Sequence, residues 1–595
     1  MNFYSALLRT LPRNPARAGE ALYWHITGKR VRARNRLRAV LSESRHAYRD
    51  WILWRENLDE TVARAPAIID SWAKRPRLSV VLYHPPGEPQ ARLEKRIAAL
   101  EAQCYGDWEL VLAQSRETPS FQAPDVPRFT MVPGRTDNPY KALHLGIQAA
   151  TGDYILPLGP EAILSPAALY RLAKAVLKNP GVDVLYGDED IITTRGKRET
   201  PWFKPRWNPD LFLAQDYLSG ACLIRREDAL ALPPLHPALS EAGLYAILLA
   251  ITSRPGAKVV HVPHVLAHHP AAPTAALGSE ADALAARAAV VANHVAPLGA
   301  QAHPGPFGTV AVEWPLPDLP RPLVTVIVPT RDHADLLRKS ITGVLNATRY
   351  RNVEIIIVDN GSREPDTLDY LRRVAANPRV TILHDDGPFN FSRLNNLAAR
   401  AAKGDYLCLL NNDIEIIDET WLSALMRQAT RPGVGAVGAK LLYDDHSIQH
   451  AGITIGLGQA AGHGHRFLKN DEPGYFARAH VPHTVSAVTA ACLVVEKAKF
   501  WEIGGLDEEG FAVAFNDVDL CLKLQAAGYR NLYEPRSMLI HHESKSRGKD
   551  FRAENVERYM RELALLQKRW GTATYRDPLH HRALDRSIEA YHIAV

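Results

Sequence analysis

The sequence has little cysteine. Five residues in 595, Cys104, Cys222, Cys408, Cys492 and Cys521, are odd in number and widely scattered, with no CxxC pair. That excludes a disulfide framework or a cysteine zinc site, and with no apolar secretory segment at the N-terminus it points to a reducing compartment. No run reaches the roughly 18–20 uninterrupted apolar residues of a membrane-spanning helix, so the chain is not expected to span a bilayer. At 46% hydrophobic and 23% charged residues, collagen-like, coiled-coil and wholly disordered chains are excluded as well. A strong overall charge is also missing, the net value being +6, but residues 1–55 hold twelve Lys/Arg against Glu20, Glu43 and Asp50, a local +9. The remainder is slightly acidic.

What is present is chain enough for several domains. Residues 1–75 mix Leu, Trp and Tyr with arginines at helical spacing (Ala21 to Trp24, Trp51 to Trp54), the pattern of basic amphipathic helices. Such helices suit an anionic membrane surface, reached through residues 1–70, or a helical cap on the next domain. A nucleic-acid arm lacks any base-reading motif, and no nucleic acid is expected. From residue 76, β-branched runs alternate with helical stretches, which predicts an α/β domain over 76–275 with a mostly parallel sheet. An Ala-rich and Pro-rich stretch, 276–321, reads as a linker. The same order then returns over 322–555, before a helical tail at 556–595. Leu323 to Val328 repeats Arg77 to Leu82, Val353 to Val358 repeats Trp108 to Ala113, Gly404-Asp405-Tyr406-Leu407 repeats Gly152-Asp153-Tyr154-Ile155, and Cys492-Leu493-Val494 repeats Cys222-Leu223-Ile224. Two homologous domains stand in tandem.

In the second repeat, polar residues gather where strands should end, the ligand edge of an open α/β sheet. One strand runs into Pro329-Thr330-Arg331-Asp332, the next into Asp359-Asn360-Gly361-Ser362, a third into Asn411-Asn412-Asp413. Asp359 can accept hydrogen bonds from a base or ribose, and Asp413 offers a hard oxygen to a phosphate-bound Mg²⁺ or Mn²⁺. Further on, Asn516-Asp517-Val518-Asp519 opens a predicted helix beside Phe511 and Phe515. There an acid either caps the helix or, desolvated in a cleft, acts as a general base toward a hydroxyl.

Together these residues resemble family 2 glycosyltransferases, inverting nucleotide-sugar enzymes with a GT-A fold, and in particular tandem-domain enzymes of the O-antigen, capsule and rhamnosyltransferase kind. The resemblance covers about 322–549 and rests on Val-Thr-Val-Ile-Val-Pro-Thr (324–330), Val-Asp-Asn-Gly-Ser (358–362), Leu-Asn-Asn-Asp (410–413), Gly-Gly-Leu-Asp-Glu (504–508), Asn-Asp-Val-Asp-Leu (516–520) and His-His-Glu-Ser (541–544). It implies a nucleoside-diphosphate sugar donor, a polysaccharide or lipid-linked glycan acceptor and a divalent metal (Mg²⁺ or Mn²⁺), while the scattered cysteines and the basic N-terminus suggest a cytoplasmic protein peripheral on the inner face of the cell membrane. It makes Pro329, Thr330, Asp359 and Asn360 nucleotide contacts, and Arg393, Asn395 and Asn396 donor or diphosphate contacts, unless the last three only cap a helix. Asn411, Asn412 and Asp413 stand where the family has Asp-x-Asp, with Asn411 replacing the first acid and Asp413 as metal ligand. Asp517 is the expected base, with Asp519 its neighbour in the catalytic pair, as an acceptor contact or a structural acid. Of the adjacent histidines, His542 is preferred over His541 as a metal ligand, because Glu543, Ser544 and Arg547 follow it.

Laid on the second repeat, the first has Gln114 for Asp359, Glu161 for Asp413 and about Glu241 to Leu244 for 516–519, which predicts a non-catalytic domain. Its aromatic and charged segments, 186–190 and 201–210, suit either acceptor sugars or packing against the second domain. The loss of the acid at Asn411 keeps a second reading open, a degenerate carbohydrate-binding or scaffold protein of a glycan-assembly complex.

Overall fold

A computed structural model describes residues 3–12, 14–27, 46–117, 128–159, 162–233, 242–271, 279–542 and 553–595, with single positions 33, 37, 40, 41 and 239. Of the twelve basic residues in 1–55, only Arg9, Arg17, Arg49 and Arg55 fall within it. Glu161, Glu241, Glu543, Ser544 and Arg547 lie outside the described residues.

The first repeat carries β1 (Leu78–His84), β2 (Trp108–Gln114), β3 (Phe129–Arg135), β4 (Tyr154–Leu158), β5 (Ile163–Leu164), β6 (Val184–Ile192), β7 (Arg198–Trp202), β8 (Cys222–Arg225) and β9 (Val259–Pro270). A hairpin of β10 (Gln301–Pro304) and β11 (Val310–Glu313) follows. The second repeat carries β12 (Val324–Thr330), β13 (Val353–Asp359), β14 (Val380–His384), β15 (Tyr406–Leu410), β16 (Ile414–Ile416), β17 (Val434–Leu442), β18 (Ile448–His450), β19 (Ile453–Ile455), β20 (Ala461–His463), β21 (His483–Val485), β22 (Cys492–Glu496) and β23 (Arg530–His541). The main sheets run β3-β2-β1-β4-β8-β6-β9-β5 and β14-β13-β12-β15-β22-β17-β23-β16, the same order strand for strand. Every pairing also keeps its direction: parallel through β3-β2-β1-β4 and antiparallel from β4 to β8, as in the second sheet. The sheets are therefore mixed: parallel through the first four strands and again between β6 and β9 and between β17 and β23, and antiparallel at the other pairings along each sheet.

Alternation along the strands puts side chains on two faces, and each sheet has a core on both. Val81 and Val111 face one core while Val80, Leu82, Leu110 and Leu112 face the other. In the second repeat Val324, Val326 and Val328 separate in the same way from Ile327, Ile356 and Val358. A small polar device is copied too. The Ser79 hydroxyl donates to Glu109 and accepts from the Gly152 amide, while the Thr325 hydroxyl donates to Glu354 and accepts from the Gly404 amide. A Cβ at either glycine would sit 2.7 Å from a backbone carbonyl, so no other residue fits.

The stretch expected as a linker carries structure of its own. Helix Glu280–Val295, capped by Ser279, and the β10–β11 hairpin lay Val290, Val291, Val310, Val312 and Trp314 into the first core. The C-terminal segment is a helix over Ala553–Trp570 followed by turns that run back between the two repeats.

Segment 201–210 is mainly that junction. Trp202 stacks on Phe476 at 4.7 Å, Asn208 exchanges hydrogen bonds with the Thr484 backbone, and Phe203 stacks on His581 at 5.0 Å. Buried Asp210 takes Arg431 at 2.6 Å, Arg530 at 3.3 Å and the Thr484 hydroxyl at 2.8 Å. Of the two readings of this segment, packing against the second domain is the one seen for these residues.

Candidate active site

Candidate residues of the second repeat collect at the C-terminal ends of β12, β13 and β15. Thr330 and Asp359 are register partners at the tips of adjacent strands, both buried. The Asp359 carboxylate accepts from the Ser362 amide at 3.0 Å and lies 3.4 Å from His384, an exposed ring. Asn360 bridges to the Asp385 and Gly387 carbonyls with its Nδ2, so it holds the loop after β14 in place. Asn412 donates to the Thr330 hydroxyl at 3.1 Å and ties the third strand end to the first. A cleft of about 360 Å³ opens there, lined by Pro329, Thr330 and Asn412 together with Arg331, Asp332, His333, Phe389, Val513, Asn555 and Arg558. Cavities of about 540 and 750 Å³ lie elsewhere, away from these strand ends.

The Asn411–Asp413 turn meets a histidine, and it is His541. Pairing of β16 with β23 sets Ile414 opposite His541, whose Nε2 lies 3.2 Å from Asp413 Oδ1 and 3.2 Å from Asn411 Nδ2. Gln449 holds the other ring nitrogen at 2.6 Å. His542, the residue preferred from sequence, turns the other way, to Glu415 at 2.9 Å and to Asp444. Neighbours along an extended chain point to opposite sides, so only one of the pair can face Asp413.

Asp517 and Asp519 separate as sharply. Helix Asn516–Ala526 follows Phe515 in the left-handed region (φ 61°), and Asp517 sits in its first turn. Its carboxylate accepts from the Ala490 amide at 3.1 Å, from its neighbour Val518 at 2.8 Å, and from the Thr489 hydroxyl. Desolvation outweighs these bonds and raises its pKa above the usual carboxylate range. The same 489–491 segment reaches the Asn411–Asp413 turn, because the Ala491 carbonyl accepts from the Asn411 amide at 3.0 Å. Asp519 is fully buried on another face, where it accepts from Arg569 and from the Trp570 indole, both at 2.9 Å, with Lys523 at 3.3 Å. Buried there, it anchors the C-terminal helix, which is the structural of its two expected roles rather than the acceptor contact.

Arg393, Asn395 and Asn396 are not the cap of their helix. Asn390 is, accepting from the Arg393 amide at 2.9 Å. Arg393 pairs with Asp385 at 2.8 Å beside the Asn360 loop. Asn395 is buried and bonds the Phe391 carbonyl, and Asn396 fixes the 506–508 segment through the Leu506 backbone and Glu508. These two support the wall of the site. Asn555 and Arg558, from the last helix, were not singled out from sequence, where nothing local marks them.

Strand register locates the counterparts in the first repeat. Gln114 pairs with His84 as Asp359 pairs with Thr330. Ile163 opposes His268 as Ile414 opposes His541, so the residue before it, Ala162, stands at the place of Asp413, one position beyond the expected Glu161. Helices Gly243–Thr252 and Asn516–Ala526 begin at corresponding points, which puts Leu244 at the place of Asp517. The corresponding cleft, about 270 Å³, is lined by Tyr83, Leu143 and Leu244 among others.

The sequence profile of glycosyl transferase family 2 matches residues 87–231 and 325–489, just over half of the chain and part of both repeats. The chain belongs to glycosyl transferase family 2. Among relatives of this family 2 chain, protein y4gI of Sinorhizobium fredii, named as uncharacterized, is 36% identical over 98% of this chain and 66% of its own length. O-antigen biosynthesis protein RfbC of Myxococcus xanthus is 34% identical over 84% of this chain and 40% of its own. The chain thus spans less than two thirds of either relative. A mannosyltransferase from Pyrobaculum calidifontis, solved with GDP-Man and Mn²⁺, aligns with 45% of this chain and 70% of its own at 18% identity and a TM-score of 0.33. Both repeats of this family 2 chain are GT-A-like α/β domains.

Proposed function

We propose that this chain is an inverting glycosyltransferase whose second domain moves a sugar from a nucleoside-diphosphate sugar to a hydroxyl of a polysaccharide or lipid-linked glycan, in the building of a cell-surface glycan. One observation carries the reading: the 489–491 segment holds Asp517 through the Ala490 amide and the Asn411 turn through the Ala491 carbonyl, so that a desolvated carboxylate stands beside the strand-end turn. Kinship with an O-antigen biosynthesis protein supports the glycan setting.

Asp517, deprotonated, takes the proton of the acceptor hydroxyl as that oxygen attacks the anomeric carbon from the face opposite the leaving diphosphate, and configuration inverts. Thr330, Asp359 and Asn412 hold the nucleotide at the strand tips, and Arg558 places a positive charge on the cleft wall. Asp413, His541 and the buried Asn411 Oδ1, which has no hydrogen-bond partner, form an oxygen-rich donor set that fits Mg²⁺ or Mn²⁺. When bound, such an ion neutralises charge on the departing diphosphate. The first domain, with Gln114, Ala162 and Leu244 at the three key places, is non-catalytic.

A thermal-shift panel of UDP, GDP, dTDP, CMP and ADP with and without Mn²⁺ tests this. One nucleotide should stabilise the protein in a metal-dependent way, by about 2.7 kcal/mol at a hundredfold excess over Kd, and Asp413→Ala should lose the metal-dependent part. A folded protein that responds to none of them is the degenerate binding or scaffold protein instead.

Membrane association through the N-terminal helices belongs to the same proposal. Tyr4, Leu8 and Leu11 are exposed at helical spacing, as are Leu22 and Ile26 on the second helix, near Arg9 and Arg17. Among the described residues no helix is long and apolar enough to cross a membrane. The double variant Leu8→Glu, Ile26→Glu should release the protein from phosphatidylglycerol vesicles in a sedimentation assay, and unchanged binding would refute this surface.

A further inference from the structure

Five cations line the cavity of about 540 Å³ between the N-terminal extension and the first domain: Arg64 from helix Leu58–Asp70, Arg171, Lys174 and Lys178 from helix Ala168–Lys178, and Arg582 from the C-terminal tail. Positions 171, 174 and 178 share one helix face. Glu60 is the one acid in the lining, and it is already paired with Arg64 at 2.9 Å.

Arg171 is the unusual member. It is 5% exposed, its Nη1 has only the Val265 carbonyl at 3.4 Å, and its Nη2 is buried with no hydrogen-bond partner. The acid whose field reaches it, Glu56, is engaged by Arg198 at 2.6 Å. A guanidinium N–H buried without an acceptor is costly, and burial, with Arg198 and Arg582 adding repulsion, lowers its pKa. The neighbours bring no relief. Lys174 donates to the Tyr170 hydroxyl at 3.1 Å, and Arg582 donates to the Pro263 carbonyl and to His264 at 3.2 Å, a ring that burial and the two arginines push down to about 3 and so keep neutral. Among the described residues, Arg171, Lys174, Lys178 and Arg582 have no carboxylate within ion-pair distance.

We propose that this cavity is an anion site that takes the phosphate or diphosphate group of a ligand, on a soluble molecule or on a lipid headgroup. The guanidinium fork of Arg171 supplies directed donors at the base, and Lys174, Lys178 and Arg582 supply charge at the mouth. Four cations without a carboxylate at ion-pair distance, reached only by the fields of Glu56 and Asp188, which Arg198 and two imidazoles engage, match a multiply charged oxyanion better than a single carboxylate, and the volume exceeds what a bare ion needs. The site is separate from the cleft of the second domain and does not depend on the glycosyltransferase reading.

Titration calorimetry of the full chain with inorganic phosphate and with pyrophosphate, in EDTA to silence any metal-borne contact at Asp413, tests it. The wild type should bind pyrophosphate, and Lys174→Ala, Lys178→Ala, both on the accessible side of the helix, should weaken binding about tenfold or more while leaving the melting temperature in place. Co-sedimentation with phosphatidic acid vesicles, against phosphatidylcholine, separates the sources: a loss in the double variant identifies a headgroup site, and a loss confined to soluble pyrophosphate identifies a soluble ligand. Absence of pyrophosphate binding in the wild type, or an unchanged isotherm in the variant, overturns the proposal.

Discussion

Asparagine at position 517 is expected to reduce sugar transfer roughly a thousandfold, in the range by which a positioned general base accelerates a reaction. The substitution keeps the shape and one of the two amide contacts, since the Ala490 and Val518 amides use different carboxylate oxygens, and it leaves Thr330, Asp359 and Asn412 untouched. Nucleotide-induced stabilisation should therefore persist, and the loss should fall on kcat. The pH profile gives the same group a second signature. Desolvation raises the folded pKa of Asp517, and the base works only when deprotonated. Activity should accordingly rise with pH through a limb lying above the ordinary aspartate value near 4, and fall away below it. A variant within twofold of wild type, or a wild-type limb at the ordinary aspartate value, would remove Asp517 from the mechanism.

Alanine at Asp210 should have the largest effect on the assembly of the two halves. Asp210 is buried and gathers Arg431, Arg530 and Thr484 from the second domain, while Arg431 also lies over Trp314 at 4.1 Å. Removing the carboxylate leaves Arg431 inside with its partner gone, a change that costs about 3–5 kcal/mol in comparable sites. Scanning calorimetry should show the cooperative transition shift down and split as the halves uncouple. Removing Arg431 as well, by Arg431→Met in the Asp210→Ala background, should recover part of the loss, since the uncompensated charge goes with it. Additive losses would show that the pair contributes nothing of its own. Burial by itself would raise the Asp210 pKa, but Arg431 and Arg530 overcome it and hold the folded value down. The contribution is thus complete above the unfolded aspartate range and disappears as pH falls through the depressed folded value.

The duplication was legible because strand cores are local: Leu323 to Val328 and Arg77 to Leu82 carry their alternation within a few residues. The strand-end acids were legible for the same reason, since Asp359 and Asp413 follow directly on their strands. What escaped was facing and register. His541 and His542 differ by one residue and hence by the side of the chain on which they project, which only the pairing with β16 decides. Asp517 and Asp519 lie two apart on a helix, on different faces, and Asp519 is claimed by Arg569 and Trp570 from about fifty residues downstream. The extra residue between β4 and β5 moved the counterpart of Asp413 from Glu161 to Ala162, a shift that counting along the chain from β4 does not detect. Asn555 and Arg558 reach the cleft from beyond the last motif, and no spacing rule leads to them.

The contact of Asp188 with two imidazoles bears on how the chain is made. Within the first domain Asp188 has His261 at 2.8 Å, and its other oxygen faces His581 at 3.0 Å, the two rings together overcoming burial to keep the acid ionised. His581 lies some 390 residues later in the sequence. At roughly 5–20 residues per second of synthesis, the nascent first domain waits about 20–80 seconds for that second ring. Throughout that interval Phe203 also lacks the ring it will stack upon, so the face that becomes the junction is open to any chaperone, or any neighbouring nascent chain, that arrives before the tail does.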